Sequence, residues 1–218
     1  MNQNIKIAVL GGGGRTGKYL VSHLIDRGYK LKILLRNLPA LDDPFSSVLA
    51  SSQIEIVWGD AVNYEDIYKL LSDCQVAIST VGQRHGEPMV ASTGTENILK
   101  VMDQYDMKRY ILVGGINIDT PFDRKSDQTK AATEWMKNSF PAIHEDRAKS
   151  YDILAKSNLD WTLVRLPMIE YTDEIFPVEA NLEDCRGTKI STKNIAFFLE
   201  ELIADKTYIK KAPFLYEV

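Results

Sequence analysis

Residues 5–28, "IKIAVLGGGGRTGKYLVSHLIDRG", decide the fold. The run 5–10 is apolar apart from Lys6, and its length suits a strand buried on both faces. Beyond Arg15, the apolar residues Leu20, Val21, Leu24 and Ile25 recur at helical spacing, and Gly28 is placed to end the helix. Between strand and helix lie Gly11, Gly12, Gly13 and Gly14, so the connection is a very tight turn. Gly11, Gly14 and Gly17 spell GxxGxxG; Gly12, Gly14 and Gly17 also satisfy GxGxxG. An early glycine takes backbone angles closed to other residues. A middle one lets a pyrophosphate approach the main chain, and Gly17 lets the helix pack closely on the strand. The helix start, at Arg15 and Thr16, offers unpaired N–H groups and a partial positive charge. A dinucleotide phosphate is therefore expected on Gly11, Gly13, Gly14, Arg15, Thr16 and Gly17.

The same alternation continues along the chain. Strands are expected at 30–36, 54–60, 75–82 and 108–115, with helical patterns between them; Asn63 and Asp66 form a candidate cap pair for one of these helices. In the second half, helices are expected at 126–140, stopped by Pro141, at 144–158, and at 191–205 with Ser191 or Thr192 as cap. Strands are expected at 160–167 and 212–218, and the acidic, aperiodic stretch 171–187 reads as a loop over the sheet edge. Continuously apolar strands separated by helices imply a parallel sheet covered on both faces. Right-handed crossovers make it doubly wound. The expectation is an α/β fold: one Rossmann-like domain over 1–218, with substrate-side elements mainly in 116–187.

Composition narrows the function classes. Of 218 residues, 44% are hydrophobic and 26% charged, the balance of a soluble globular chain. A net charge of -4 and no basic run beyond "YIKKA" at 208–212 argue against nucleic acid as partner. No apolar run is long enough to span a membrane, and a cytoplasmic location is expected. The two cysteines, Cys74 and Cys185, sit in no metal-binding pattern; a disulfide rests on their count alone, and Cys74 reads as a small buried thiol.

The second strand speaks to which dinucleotide. Enzymes that prefer NAD usually place an acid about 20 residues after the loop, on the ribose hydroxyls. Here Arg36 ends the strand, and the next acid is Asp42. Guanidinium groups at Arg36 and Arg15 would suit a ribose 2′-phosphate through forked, charge-assisted bonds. NADP(H) is expected over NAD(H), with the two arginines as a clamp.

Taken together, "GGGGRTG", Arg36, "WGD" at 58–60, "ISTVG" at 78–82, "STGTENILKVM" at 92–102 and "KRYILVGG" at 108–115 are more specific than the loop alone. With "SYDILAKSNLDWTLVRLPMI" and "ISTKNIAFFLEELIAD", the chain resembles the atypical short-chain dehydrogenase/reductases of the NAD(P)H-binding, NmrA-like group. Within that group it is similar to the branch of biliverdin reductase B, the flavin reductase type. The resemblance implies Asp60 and Ala61 beside the adenine, and Thr80, Val81 and Gly82 along the ribose and nicotinamide. It also implies a wall at 166–169, including Pro167, near the nicotinamide face. These positions lie at carboxyl ends of parallel strands, where open α/β sheets bind ligands. Arg84 and His85, expected near the nicotinamide end, either bind an anionic substrate or the pyrophosphate, or belong to a surface loop.

Two departures bear on chemistry. None of the ten tyrosines has a lysine four residues later; Tyr151, in the expected region, is followed by Ala155. The phenol–lysine pair that exchanges a proton with a hydroxyl substrate is therefore missing. Second, where many relatives end the fifth strand with serine, this chain has Gly114 and Gly115. Either the site has no catalytic duty, or glycine makes room for a large flat substrate. Hydride transfer to an electron-poor acceptor needs little from the protein beyond position and a dry pocket. The leading reading is an NADPH-dependent oxidoreductase acting on a small flat acceptor such as a flavin or quinone. The alternative is an NADP(H)-binding redox sensor that signals to a protein partner through a surface loop such as 171–187; epimerase or isomerase ranks last. No catalytic residue and no metal site is assigned. His23, His144, Tyr151, Trp135, Trp161, Phe197 and Phe198 read as structural.

Overall fold

The computed structural model describes residues 5–40 and 42–218. In chain order the elements are β1 (Lys6–Leu10), α1 (Arg15–Asp26), β2 (Lys30–Leu35), α2 (Phe45–Leu49), β3 (Ile54–Trp58), α3 (Tyr64–Leu71), β4 (Val76–Ser79), α4 (Ala91–Gln104) and β5 (Arg109–Gly115). There follow α5 (Asp127–Ser139), α6 (Pro141–Ala155), β6 (Asp160–Leu166), β7 (Met168–Glu170), β8 (Val178–Asn181), β9 (Lys189–Ser191), α7 (Thr192–Ala204) and β10 (Phe214–Glu217).

Eight strands form one sheet in the order β3-β2-β1-β4-β5-β6-β10-β8, and β7 pairs with β9 in a small second sheet. All pairings in the large sheet are parallel except β10 with β8. The chain moves outward from β1 to β3, then returns to β4 on the other side of β1. That reversal opens a crevice at the carboxyl ends of β1 and β4, the usual ligand site of a doubly wound, Rossmann-like sheet.

The alternation of side chains along each strand divides the core in two. Ala8 and Leu10 face one side with Ile67 and Leu70 of α3, Ile98 and Val101 of α4, and Leu154 of α6. Ile7 and Val9 face the other with Leu20 and Leu24 of α1 and Ile195 and Leu199 of α7. This period-two split is why β1 had to be apolar from Ile7 to Leu10.

The helix ends follow local chemistry. Asn63 caps α3, accepting from the amides of Glu65 and Asp66. Asp66 is no cap; its carboxylate reaches back to accept from the Asp60 amide at 3.0 Å. Ser191 rather than Thr192 caps α7, accepting from Asn194. Pro141 stops α5 and at the same time opens α6, where its missing N–H costs nothing.

The stretch 171–187 departs from expectation. It is not loop throughout, because β8 lies within it and closes the sheet edge antiparallel to β10. Only four residues form that strand. Its pairing partner is the chain's last strand, so no local periodicity announced it.

Cys74 and Cys185 are unpaired and buried. Burial pushes both thiols up to about 12, far from the thiolate that reacts. Native protein at neutral pH is therefore expected to show less than about a tenth of the thiol titre of urea-unfolded protein. Rapid labelling of either cysteine in the native state would contradict this packing.

Candidate cofactor and acceptor cleft

The glycine loop has the backbone that its sequence demands. Gly11 has φ +77°, and a Cβ there would lie 2.9 Å from the Thr80 backbone. The Gly14 amide donates to the Gly11 carbonyl at 2.9 Å, closing the turn. Beneath it, Gly17 is buried, and a Cβ on it would sit 2.0 Å from the Gly11 carbonyl oxygen. Thr80 donates its amide to Leu10 at 3.0 Å, and its hydroxyl lies 3.2 Å from the Gly11 carbonyl. The end of β4 thus holds the end of β1.

A cleft of about 1140 Å³ runs along the carboxyl edge of the sheet. Of the residues the sequence nominated, Gly11, Gly13, Gly14, Arg15, Thr16, Arg36, Asp60, Ala61, Thr80, Val81, Gly82, Arg84 and Pro167 all line it. Gly17 does not; it acts from below, by letting α1 approach. No side chain caps α1, so its first amides face the cleft without a protein partner from a cap. Glycines that exclude any Cβ, together with an uncapped helix start, fit a dinucleotide pyrophosphate.

The two arginines are engaged differently from the clamp expected of them. Arg36 grips Glu87 with both terminal nitrogens, at 2.7 and 2.9 Å, and also reaches Asp60 at 3.3 Å. The guanidinium holds the Glu87 carboxyl below its usual range, and Glu87 in turn raises Arg36. Arg15 instead stacks on the ring of Tyr171, 4.3 Å from its centroid. Tyr171 follows β7, and the two guanidinium groups share no partner among the described residues.

Through Glu87, the segment after β4 is tied to Arg36 at the end of β2, and Arg84 lies 3.9 Å from Glu87. Exposed His85 stays outside the cleft. In "WGD", the glycine has a steric task. A Cβ on Gly59 would fall 2.3 Å from the Asp66 carboxyl carbon, so only glycine lets Asp66 reach the Asp60 amide.

The end of β5 corrects the reading of its two glycines. A Cβ on Gly114 would meet Ile118 at 2.6 Å and Leu163 at 2.9 Å. One on Gly115 would meet Asn117 Oδ1 at 2.5 Å and Arg147 Nη1 at 2.9 Å. The space is filled by the protein's own side chains rather than kept for a flat substrate. Asn117 and Arg147, both lining the cleft, were missed in the sequence; only the blank at Gly115 could have hinted at them. Trp135, read as core or helix face, is a helix-face residue of α5, 62% exposed, and lines the cleft with Met136 and Met168. His23, by contrast, is buried against Glu200 at 2.6 Å, and Trp161 lies in the core.

Among the described residues, no helix is long and apolar enough to cross a membrane.

Comparison with known proteins adds three findings. Eugenol synthase 1 from Petunia hybrida is 28% identical over 113 residues, which make up 50% of this chain and 35% of that protein. The chain thus spans about a third of that curated relative's length. A short-chain dehydrogenase/reductase from Veillonella parvula, solved in complex with NADP, superposes with a TM-score of 0.82 at 16% identity, over 98% of this chain and 94% of that one. ChuY, an anaerobilin reductase from Escherichia coli O157:H7, superposes with a TM-score of 0.77 at 15% identity, over 97% of each chain. At such identities the two structures establish a common fold. The family is established by sequence: with residues 11–206 matched, this chain belongs to the NAD(P)H-binding family, and a nicotinamide dinucleotide is its cofactor.

Proposed function

We propose that the protein is an NADPH-dependent oxidoreductase that reduces a small flat acceptor of the flavin or quinone kind. The observation that carries this reading is a single cleft with two unlike ends. One end has Arg36 where an NAD enzyme would carry an acid; the other is walled by exposed Trp135 and Met168. When bound, the dinucleotide supplies the hydride. The chain's own residues hold and exclude. The glycine loop and α1 start seat the pyrophosphate, Arg36 reads the 2′-phosphate, and the 166–169 wall with Val113 shields the reacting face from water.

Glu87 occupies both terminal nitrogens of Arg36, so a phosphate competes with it for those donors. Wild-type protein is expected to bind NADPH about 10–100-fold more tightly than NADH, the worth of a charged hydrogen-bond pair. Arg36→Ala should abolish the difference, while Glu87→Gln should tighten NADPH binding a few-fold by removing the competitor. Equal wild-type affinity for both dinucleotides would refute the assignment. For the reaction, NADPH absorbance is followed with a panel of flavins and quinones; tight NADPH binding without turnover of any acceptor counts against a reductase.

The Arg36–Glu87 pair also favours a second reading, an NADP(H) sensor. Release of Glu87 on cofactor binding would move the surface segment after β4, giving a partner protein something to read. A sensor requires distinct affinities for NADP+ and NADPH, and cofactor-dependent proteolysis or hydrogen exchange in that segment. A reductase requires neither.

A further inference from the structure

We infer that Arg147, steadied by Asn117, is an anion seat at the acceptor end of the cleft, so that the acceptor is a flat apolar molecule carrying a carboxylate, sulfonate or phosphate. The inference rests on the reading that an acceptor occupies this end.

Arg147 comes from α6 and lines the cleft beside Gly115. Its side chain makes one hydrogen bond among the described residues, Nη1 to Asn117 Oδ1 at 3.3 Å, and it forms no ion pair with a carboxylate there. A guanidinium has five donors, so most of its capacity is unspent. Two other cleft arginines lack a side-chain hydrogen bond among the described residues, but Arg15 stacks on Tyr171 and Arg84 lies 3.9 Å from Glu87. Arg165 is bonded to three carbonyls and a carboxylate, and Arg36 grips Glu87. The neighbouring acid, Asp146, is turned away. It caps α4 instead, accepting from the amides of Ala91 at 2.8 Å and Ser92 at 3.2 Å, and from the Ser92 hydroxyl at 2.5 Å.

The cation is also held in place and partly stripped of water. Asn117 is buried, and its amide nitrogen lies 3.3 Å from His144 Nδ1, which leaves its oxygen for Arg147. A Cβ at Gly115 would lie 2.5 Å from Asn117 Oδ1 and 2.9 Å from Arg147 Nη1, so a larger residue would displace both side-chain ends. Burial lowers Arg147 from its usual value, with Asp146 opposing, as expected of a cation short of counter-charge. The same cleft is lined by exposed apolar side chains: Trp135 is 62% and Met168 74% exposed. A positioned, desolvated guanidinium among apolar surfaces selects a planar ligand with one negative group.

The test uses matched rings, anthraquinone sulfonate and neutral hydroxymethylanthraquinone, titrated calorimetrically into protein saturated with NADP+. The sulfonate is expected to bind at least about tenfold more tightly, and Arg147→Met should erase that advantage while leaving the neutral compound within about twofold. Arg147→Lys should retain part of it, and its thermal melt checks folding. Equal binding of the two compounds by wild type, or no binding of either, overturns the inference. So does an Arg147→Met variant that loses NADP+ as much as sulfonate, since the arginine would then serve the cofactor. Arg147-dependent sulfonate binding without NADPH oxidation supports the anion seat and refutes the reductase reading. Turnover of both compounds with equal KM does the reverse.

Discussion

Alanine at position 17 is expected to weaken NADPH binding by roughly 100-fold or more and to destabilise the fold by about 2–3 kcal/mol. The added methyl would lie 2.0 Å from the Gly11 carbonyl oxygen, 2.8 Å from its carbon and 2.9 Å from the Gly12 Cα. All three are backbone atoms of the phosphate loop, so no side chain can rotate away. Either α1 retreats from β1 or the loop deforms, and both displace the amides that face the pyrophosphate. Gly82→Ala is the stability control, since a Cβ there meets nothing within 4 Å. Its unfolding free energy should stay within about 0.5 kcal/mol of wild type. Urea unfolding and NADPH titration measure the two effects. A Gly17→Ala protein that binds NADPH normally would refute the close helix–loop approach.

The second large effect is expected at Arg165, which is completely buried in β6. Its guanidinium lies 3.5 Å above the Phe214 ring centroid. It donates to Ala212 and Ile118 carbonyls at 2.9 Å, to Asp123 Oδ2 at 2.8 Å and to the Leu182 carbonyl at 3.4 Å. One side chain thereby fastens the segment after β5, the segment after β8 and the approach to β10 onto the sheet. Arg165→Met would leave the buried Asp123 carboxylate and three carbonyls short of a donor. Removing one partner of such a pair costs about 3–5 kcal/mol, which for a chain of this size lowers the melting temperature on the order of 10 °C. NADPH affinity at saturating folded protein should change little, because the glycine loop and Arg36 lie on the opposite side of β4. A loss below about 1 kcal/mol in urea would show that the network is not structural.

The strands from β1 to β6 and the helices between them, apart from the short α2, were legible because short-range rules suffice for them. Continuous apolar runs, helical spacing and proline or glycine stops act within about ten residues. The glycine loop was legible for much the same reason: Gly11 takes a positive φ, and Gly14 and Gly17 lie against the Gly11 carbonyl of the same turn. Even so, the mate of Arg36 was not readable. Arg36 meets Glu87 from 51 residues away, and nothing local to either announces it. The same holds for β8, whose four residues become a strand only against β10.

The end of the cleft beside β5 was hidden more deeply. Gly114 and Gly115 showed in the sequence as missing side chains, read either as a site without catalytic duty or as room for a large flat substrate. Packing fills it, with Ile118 and Leu163 at one glycine and Asn117 and Arg147 at the other. Asn117 and Arg147 are 30 residues apart and sit on different elements, so only the docking of α6 beside β5 brings them together.

By itself, the sequence determined the doubly wound sheet, the phosphate loop and an arginine in the place of the ribose acid. All three follow from periodicity, from steric limits on φ and from the order of strand ends, which are properties of contiguous chain. The tertiary structure alone decided that Arg36 is held by Glu87, that Arg165 ties three distant segments together, and that Arg147 is left with unspent donors in the cleft. Those are outcomes of charge pairing and desolvation between residues distant in sequence, and they exist only once the sheet has placed the partners within reach.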